Sequence, residues 1–446
     1  MAQAHHGAIA QPAPGGRTSR GRLRPGRHRP ADDSRSRPVS PTTRIGLPEH
    51  PVPELNDLLR APADEQFPGL RGAGHRFDAP GGTLVHAAVV RAMSRYLGSR
   101  HVANDHGPFP ASAYSDVIVE WAADRVRALL GAAGGHILFG PNMTTLTTMF
   151  SRGVAGDLRP GDEIVCTELD HEANHWPWRA VAERTGARVR LARLHPDGAL
   201  PAEAIIRELT PRTRWVAISG ASNALATVPD VAAVSAAAHR VGARVYVDGV
   251  QRVAHSRVAV DEWGVDAFVT SAYKWYGPHC AALWLSDHLD PLLPEQVPSA
   301  GDALPGRLDL GTTQFEAVLG TGIAAEVLLG WDRTVIAERE HALAERIRTW
   351  LRADSRFRVL GPAGGTLMPI ITFQVAGMAA TAVATSLAAR DVAVWDGTFY
   401  CGPAFQALSP ATSGAVRAGV AAYTTDNDVT AFLDALVEVT RKKRAG

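Results

Sequence analysis

From Gly135 to Ser286 one pattern repeats along the chain. Short β-rich apolar runs (HILFG, EIVCT, RVRLAR, RWVAISG, RVYVDG, AFVTSA and AALWLS) alternate with stretches long enough for helices. This alternation predicts an α/β fold built on a mostly parallel seven-stranded sheet. Several runs end in small or polar residues, namely Gly140, Thr167, Gly220, Asp248 and Ser271. Ligands of such sheets bind beyond the carboxyl ends of the strands, so these residues are expected to face one shared site.

Near Ser286 the pattern stops. A Pro-rich stretch follows, then a helical segment from Gln314 to Leu351, a strand-like PIITFQV, a helix from Ala380 to Arg390, a closing VRAGVAAY strand and a C-terminal helix. These describe a small α+β domain. The expected organisation is a disordered Arg/Pro-rich tail over 1–45, a segment over 46–75 packing near the small domain, a large site-bearing domain over 76–325 and the small domain over 326–446.

Composition narrows the function classes. A net charge of +1 gives the whole chain no electrostatic reason to seek nucleic acid or an acidic membrane surface. The tail alone is basic, and reads either as a solvated extension or as a partner-binding arm. No apolar run is long enough to cross a bilayer, and the N-terminus lacks the apolar core of a secretory signal, so a cytoplasmic protein is expected. Cys166, Cys280 and Cys401 are too widely spaced for a CxxC motif, and the 17 histidines form no HExxH, so no metal is expected.

Among 46 Lys and Arg residues only Lys274, Lys442 and Lys443 are lysine. A lone internal lysine in an Arg-rich chain points to a position that needs an amine able to lose its proton, which guanidinium cannot do. Lys274 lies in SAYKWYGPH, just after a predicted strand. Asp248 ends another strand in VDGVQ, where it serves either as a buried carboxylate or as a helix cap. In GPNMTTL, a turn places Asn142, Met143 and Thr144 at the start of a helix, whose free N–H groups suit an anion.

Taken together, SAYKWYGPH, VDGVQ, ELDHEAN, ASNALATVPD and RLDLGTTQFEA resemble the lysine, aspartate, histidine, asparagine and subunit-contact motifs of the class V aminotransferase and cysteine desulfurase family. The resemblance runs in order from about Phe77 to Thr440. It is strongest to a desulfurase-like subgroup marked by FDAPGGT, GPNMT, SAYKWYGPH, GTTQFEA and VWDG. It implies pyridoxal 5'-phosphate (PLP) as cofactor and fold type I, with a homodimer sharing its active sites.

Carried over by position, the resemblance implies that Lys274 forms the Schiff base and shuttles the α-proton. His171 would stack on the ring and Asp248 would pair with its nitrogen. Asn223 and Gln251 would lie near the ring hydroxyl. Ser271, Tyr273, Asn142, Met143 and Thr144 would hold the phosphate, with Thr312 arriving from the partner subunit. Tyr273 stands where many desulfurases carry His. Arg417 would clamp the carboxylate of a small amino-acid substrate. Beyond the resemblance, Trp395, Phe399 and Tyr400, together with His101, Asn104, His106 and Phe109 from the stretch before the sheet, read either as residues that select the substrate or as part of an aromatic stripe in the core.

Cys401 is the candidate sulfur nucleophile, although it stands one residue away from the catalytic cysteine of established desulfurases. The favoured reaction is carbon–sulfur cleavage, with any sulfur acceptor unknown. Transamination, epimerisation and other β-eliminations use the same cofactor, and a non-catalytic PLP-binding protein with a basic partner-binding tail is an alternative of another class.

Overall fold

A computed structural model describes residue 47 and residues 50–294, 303–409 and 414–441. The expectation of a disordered tail over 1–45 falls outside them. The strands in chain order are β1 (His75–Arg76), β2 (His136–Gly140), β3 (Glu163–Thr167), β4 (Arg188–Ala192), β5 (Thr213–Ser219), β6 (Arg244–Asp248), β7 (Ala267–Ser271), β8 (Ala281–Leu285), β9 (Phe357–Leu360), β10 (Ile370–Val375), β11 (Val392–Ala393), β12 (Trp395–Gly397) and β13 (Ala415–Gly419).

Strands β2 to β8 are the seven apolar runs, and they form one sheet in the order β2-β8-β7-β6-β5-β3-β4. Only β8 runs against the rest. The inner strands β3, β7 and β8 are buried along their whole length, whereas the edge strand β4 is largely half-buried. Alternate residues feed two cores. From β6, Val245 and Val247 join the core beneath helices Pro110–Leu130 and Phe315–Gly330, while Tyr246 joins the one beneath helices Met143–Gly153 and Glu172–Thr185. This period of two, apolar on both sides, is what makes the strands legible as continuous hydrophobic runs.

The helical segment expected from Gln314 to Leu351 is two helices, Phe315–Gly330 and Arg333–Arg352. Between them Trp331 is extended and packs its ring against Phe67, His86 and Tyr276. Asp332 then caps the second helix, its carboxylate accepting from Thr334 N and Val335 N. A cap and a buried aromatic outweigh continued helix here. The closing strand is also shorter than VRAGVAAY: it ends at Gly419, and Tyr423 packs on Phe67 instead.

Strands β9, β10, β12 and β13 form an antiparallel sheet in the order β12-β13-β10-β9. Its core includes Phe357, Phe373 and Phe432 together with Phe77 from far upstream. Residues His75 to Thr83 link this sheet to the large one. His75 and Arg76 pair in parallel with β11, Phe77 O accepts from Gly419 N, and Thr83 N donates to Tyr273 O on the loop after β7.

Candidate active site

Five of the large sheet's strands bring their carboxyl ends, or the loops directly after them, to one cavity of about 470 Å³. Of the residues expected at the site, Lys274, Asp248, His171, Gln251, Asn223, Tyr273, Met143, Thr144, Arg417 and Trp395 line it.

Lys274 closes a short 3-10 turn after β7. Its amine donates to Pro80 O at 2.5 Å and Gly81 O at 2.9 Å. Burial pushes its pKa down to about 7; the Arg417 charge adds to this and Asp248 opposes it. The amine can therefore give up its proton near neutrality.

Asp248 is buried where β6 gives way to Gly249, and a side chain at residue 249 would collide with the Phe268 ring at 1.8 Å. Asp248 Oδ1 accepts from Val250 N at 3.0 Å, and among the described residues no cation pairs with the carboxylate. Burial raises its pKa to about 7, helped by Asp170 and opposed by Lys274. A carboxylate buried without a counterion calls for a positively charged or N–H partner in the cavity.

His171 caps helix Glu172–Thr185, with Nδ1 accepting from Ala173 N at 3.0 Å, so that nitrogen carries no proton. Burial, then Lys274 and Arg417, lower its pKa to about 4, leaving a neutral ring. Tyr400 lies over it with ring centres 5.3 Å apart. Across the cavity Arg417 is buried on β13, donates from Nη1 to Asn223 O at 2.8 Å, and leaves its Nε without an acceptor. Burial lowers its pKa to about 10. A buried guanidinium that lines a cavity is a site for a carboxylate.

At the other end, Met143 N donates to Ser271 Oγ at 3.1 Å, which pins the start of helix Met143–Gly153 against the end of β7. Asn142 caps that helix through Thr145 N and does not itself line the cavity. Asn223 lines the cavity, and its amide donates to Phe399 O at 2.8 Å and accepts from the Cys401 thiol at 2.8 Å, so both ends are engaged by one loop. Gln251 donates to Pro80 O at 2.9 Å, beside Lys274.

Thr312 lies elsewhere in the same chain, lining a second cavity of about 330 Å³ with Gly311, Gln314 and Cys280. Asn104 is exposed and lines neither cavity. His101 packs on Tyr114, and Phe109 is half exposed, both away from the site. His106 stands with Asp105 and Asp116 in a surface group of potential metal ligands whose grouping in space the sequence spacing did not reveal.

Three features escaped the sequence reading. The carbonyls of Pro80 and Gly81 hold the lysine, and backbone acceptors leave no residue-type signal. A side chain at Gly81 would meet Trp395 Nε1 at 2.2 Å, so glycine lets the indole cover this turn. Asp170, next to His171, is buried and accepts from Thr167 N, Thr167 Oγ1, Asn174 Nδ2 and Ser219 Oγ, which fixes the ends of β3 and β5 together. Its place between a strand and the His171 cap was the available clue.

The donor set fits PLP, which has an aldehyde, a ring nitrogen that takes a proton, and a phosphate. Lys274 offers the amine, the uncompensated Asp248 a partner for the nitrogen, and the cavity-lining first turn of helix Met143–Gly153 at Thr144 an anion site. Such a set on the carboxyl edge of a mostly parallel sheet defines a PLP-dependent enzyme of fold type I.

The chain belongs to the aminotransferase class-V family, whose sequence model matches residues 75–432. It is 29% identical over 397 residues to the cysteine desulfurase CsdA of Escherichia coli, covering 83% of this chain and 95% of that protein. A probable cysteine desulfurase of Mycolicibacterium paratuberculosis is 32% identical over 382 residues; the match covers 81% of this chain but spans only 54% of that relative's length. A crystal structure of the Escherichia coli CsdA superposes with a TM-score of 0.78 at 26% identity, covering 84% of this chain and 97% of that one. The apo cysteine desulfurase of Thermococcus onnurineus shares the fold, with a TM-score of 0.81 at 22% identity over 85% of this chain and 98% of that one. No helix among the described residues is long and apolar enough to cross a membrane.

Proposed function

We propose that this enzyme binds PLP through Lys274 and cleaves the carbon–sulfur bond of a small cysteine-like α-amino acid. The observation that carries this reading is the pairing, on one cavity, of a buried amine poised near neutrality with a buried guanidinium that has no carboxylate partner among the described residues. An α-amino acid offers both partners, a carboxylate for Arg417 and an α-proton for Lys274. The desulfurase names of its relatives support the choice of sulfur chemistry.

Bound PLP supplies an electron sink that stabilises negative charge at the substrate's α-carbon. The residues of this chain do the rest. Asp248 holds the proton on the ring nitrogen, His171 supports the ring face as a neutral imidazole, and Met143, Thr144 and Tyr273 hold the phosphate, with Ser271 fixing the helix start beside them. Arg417 fixes the carboxylate and so aims the α-carbon at Lys274, whose amine moves the α-proton. Trp395, Phe399 and Tyr400 narrow the substrate end and exclude water.

The active form is proposed to be a homodimer, with the segment around Thr312 at the contact; Leu310 there is 58% exposed. The test is to titrate PLP-loaded protein with a panel of amino acids, following visible absorbance and sulfide release. Release of sulfide from a sulfur-containing amino acid supports the reading. Ketoacid-dependent amino transfer without sulfur release overturns it.

A further inference from the structure

If the C–S bond breaks here, the sulfur must go somewhere, and a relay through a protein thiol needs a cysteine that reaches the cavity. None of the chain's three cysteines lines it. Cys166 is buried inside β3, and Cys280 is buried and lines the second cavity. Cys401 comes nearest but is fully buried in the large apolar core, in which Leu169, Ala404 and Phe405 also take part.

The loop that carries Cys401 is fastened on several sides. Glu172 N donates to Tyr400 O at 2.7 Å, Asn223 Nδ2 to Phe399 O at 2.8 Å, and Cys401 N to Thr398 O at 3.0 Å. Cys401 O then accepts from Phe405 N at 3.1 Å as helix Gly402–Leu408 begins. The thiol itself is used as a donor to Asn223 Oδ1. Phe399 and Tyr400, in left-handed conformations at φ 55° and 57°, turn toward the cavity in its place. Non-glycine residues hold that conformation only where their surroundings fix it. Burial also pushes the Cys401 pKa up to about 12, so the nucleophilic thiolate is scarce.

We propose, resting on the C–S cleavage reading above, that sulfur leaves the substrate directly as hydrosulfide, by β-elimination, without passing through a cysteine of this chain. The α-proton goes to the Lys274 amine, the Cα–H electron pair becomes a Cα=Cβ bond, and the C–S pair departs with sulfur. The released enamine takes up water to give ammonia and a 2-oxo acid, so from L-cysteine and water the products are pyruvate, ammonia and hydrogen sulfide. No oxidant or reductant is consumed. Cys401 is a core residue that props Asn223, with Phe399 and Tyr400 forming the wall the substrate meets.

The test uses PLP-loaded enzyme with L-cysteine and with other sulfur-containing amino acids. From L-cysteine the expected products are equal amounts of sulfide, ammonia and pyruvate, and from an S-substituted cysteine the matching thiol replaces sulfide, with no sulfur added to the protein by intact mass. Cys401→Ala, and Cys401→Ser, which keeps a donor for Asn223, should retain kcat/KM within about twofold. Independently of turnover, iodoacetamide followed by peptide mass mapping should leave Cys401 unmodified in native protein, with or without PLP. Alanine as product, a persulfide on Cys401, rapid alkylation of Cys401, or loss of turnover in both variants with folding intact by circular dichroism would each overturn the proposal. Failure of the wild type to release sulfur from any of these amino acids would instead overturn the C–S reading beneath it, and this inference with it.

Discussion

The guanidinium of Arg417 lies 4.4 Å from the centre of the Phe399 ring while its Nε has no acceptor. The ring shields one side of the charge from water, while the side chain still lines the cavity. Replacing the planar fork by a point charge removes one of two charged hydrogen bonds, worth about 1.5–3 kcal/mol. Arg417→Lys is expected to raise KM for the amino acid by about 10- to 100-fold, with PLP affinity little changed. Steady-state kinetics alongside a PLP titration checks both.

Among the described residues, Lys274 is the only lysine that lines the cavity. Lys274→Ala is expected to abolish the borohydride-sensitive visible absorbance of the loaded protein and to lower turnover by about 10²–10⁴-fold or more, the usual worth of a positioned acid–base group. Lys274→Arg should behave alike, because guanidinium keeps its proton. A spectrum before and after reduction, with sulfide assays of each variant, decides the matter.

Asp248 links charge to stability. Its pKa in the fold is about 7 against an ordinary 3.8, so folding takes up a proton between those values. The PLP-free protein therefore loses stability from this group as pH rises from about 4 through 7, where burying the carboxylate must be met unaided. Asp248→Asn is expected to raise the melting temperature of the PLP-free protein at pH 8, with little gain at pH 4, while weakening PLP binding. Thermal melts of both proteins across this range would show the difference closing as pH falls.

Asp170 accepts four hydrogen bonds and is fully buried, so its carboxylate acts as a rivet between strands. Asp170→Ala leaves those donors unpaired and is expected to cost about 3–5 kcal/mol of stability. Urea denaturation measures the loss, and Asp170→Asn, which keeps part of the network, should lose less.

The large sheet was legible because its strands are apolar on both faces, and Lys274 because it stands alone among arginines. Asp248 was legible because it ends an apolar strand. The limits were set by contacts distant in sequence. Nothing local announces that Asn223 is claimed by Phe399 and Cys401, or that Cys401 begins a helix packed into the core. The break before Asp332 could have been read from its capping residue, but Trp331 settles there only because Phe67, His86 and Tyr276 make a place for it.

The stretch from His75 to Thr83 is stitched at one end to β11 and β13, and at its other end its Pro80 and Gly81 carbonyls grip the lysine amine. One short run of backbone is thus shared between the C-terminal sheet, which carries Arg417, and the acceptors of Lys274, so the two cationic side chains of the cavity are tied to a common thread.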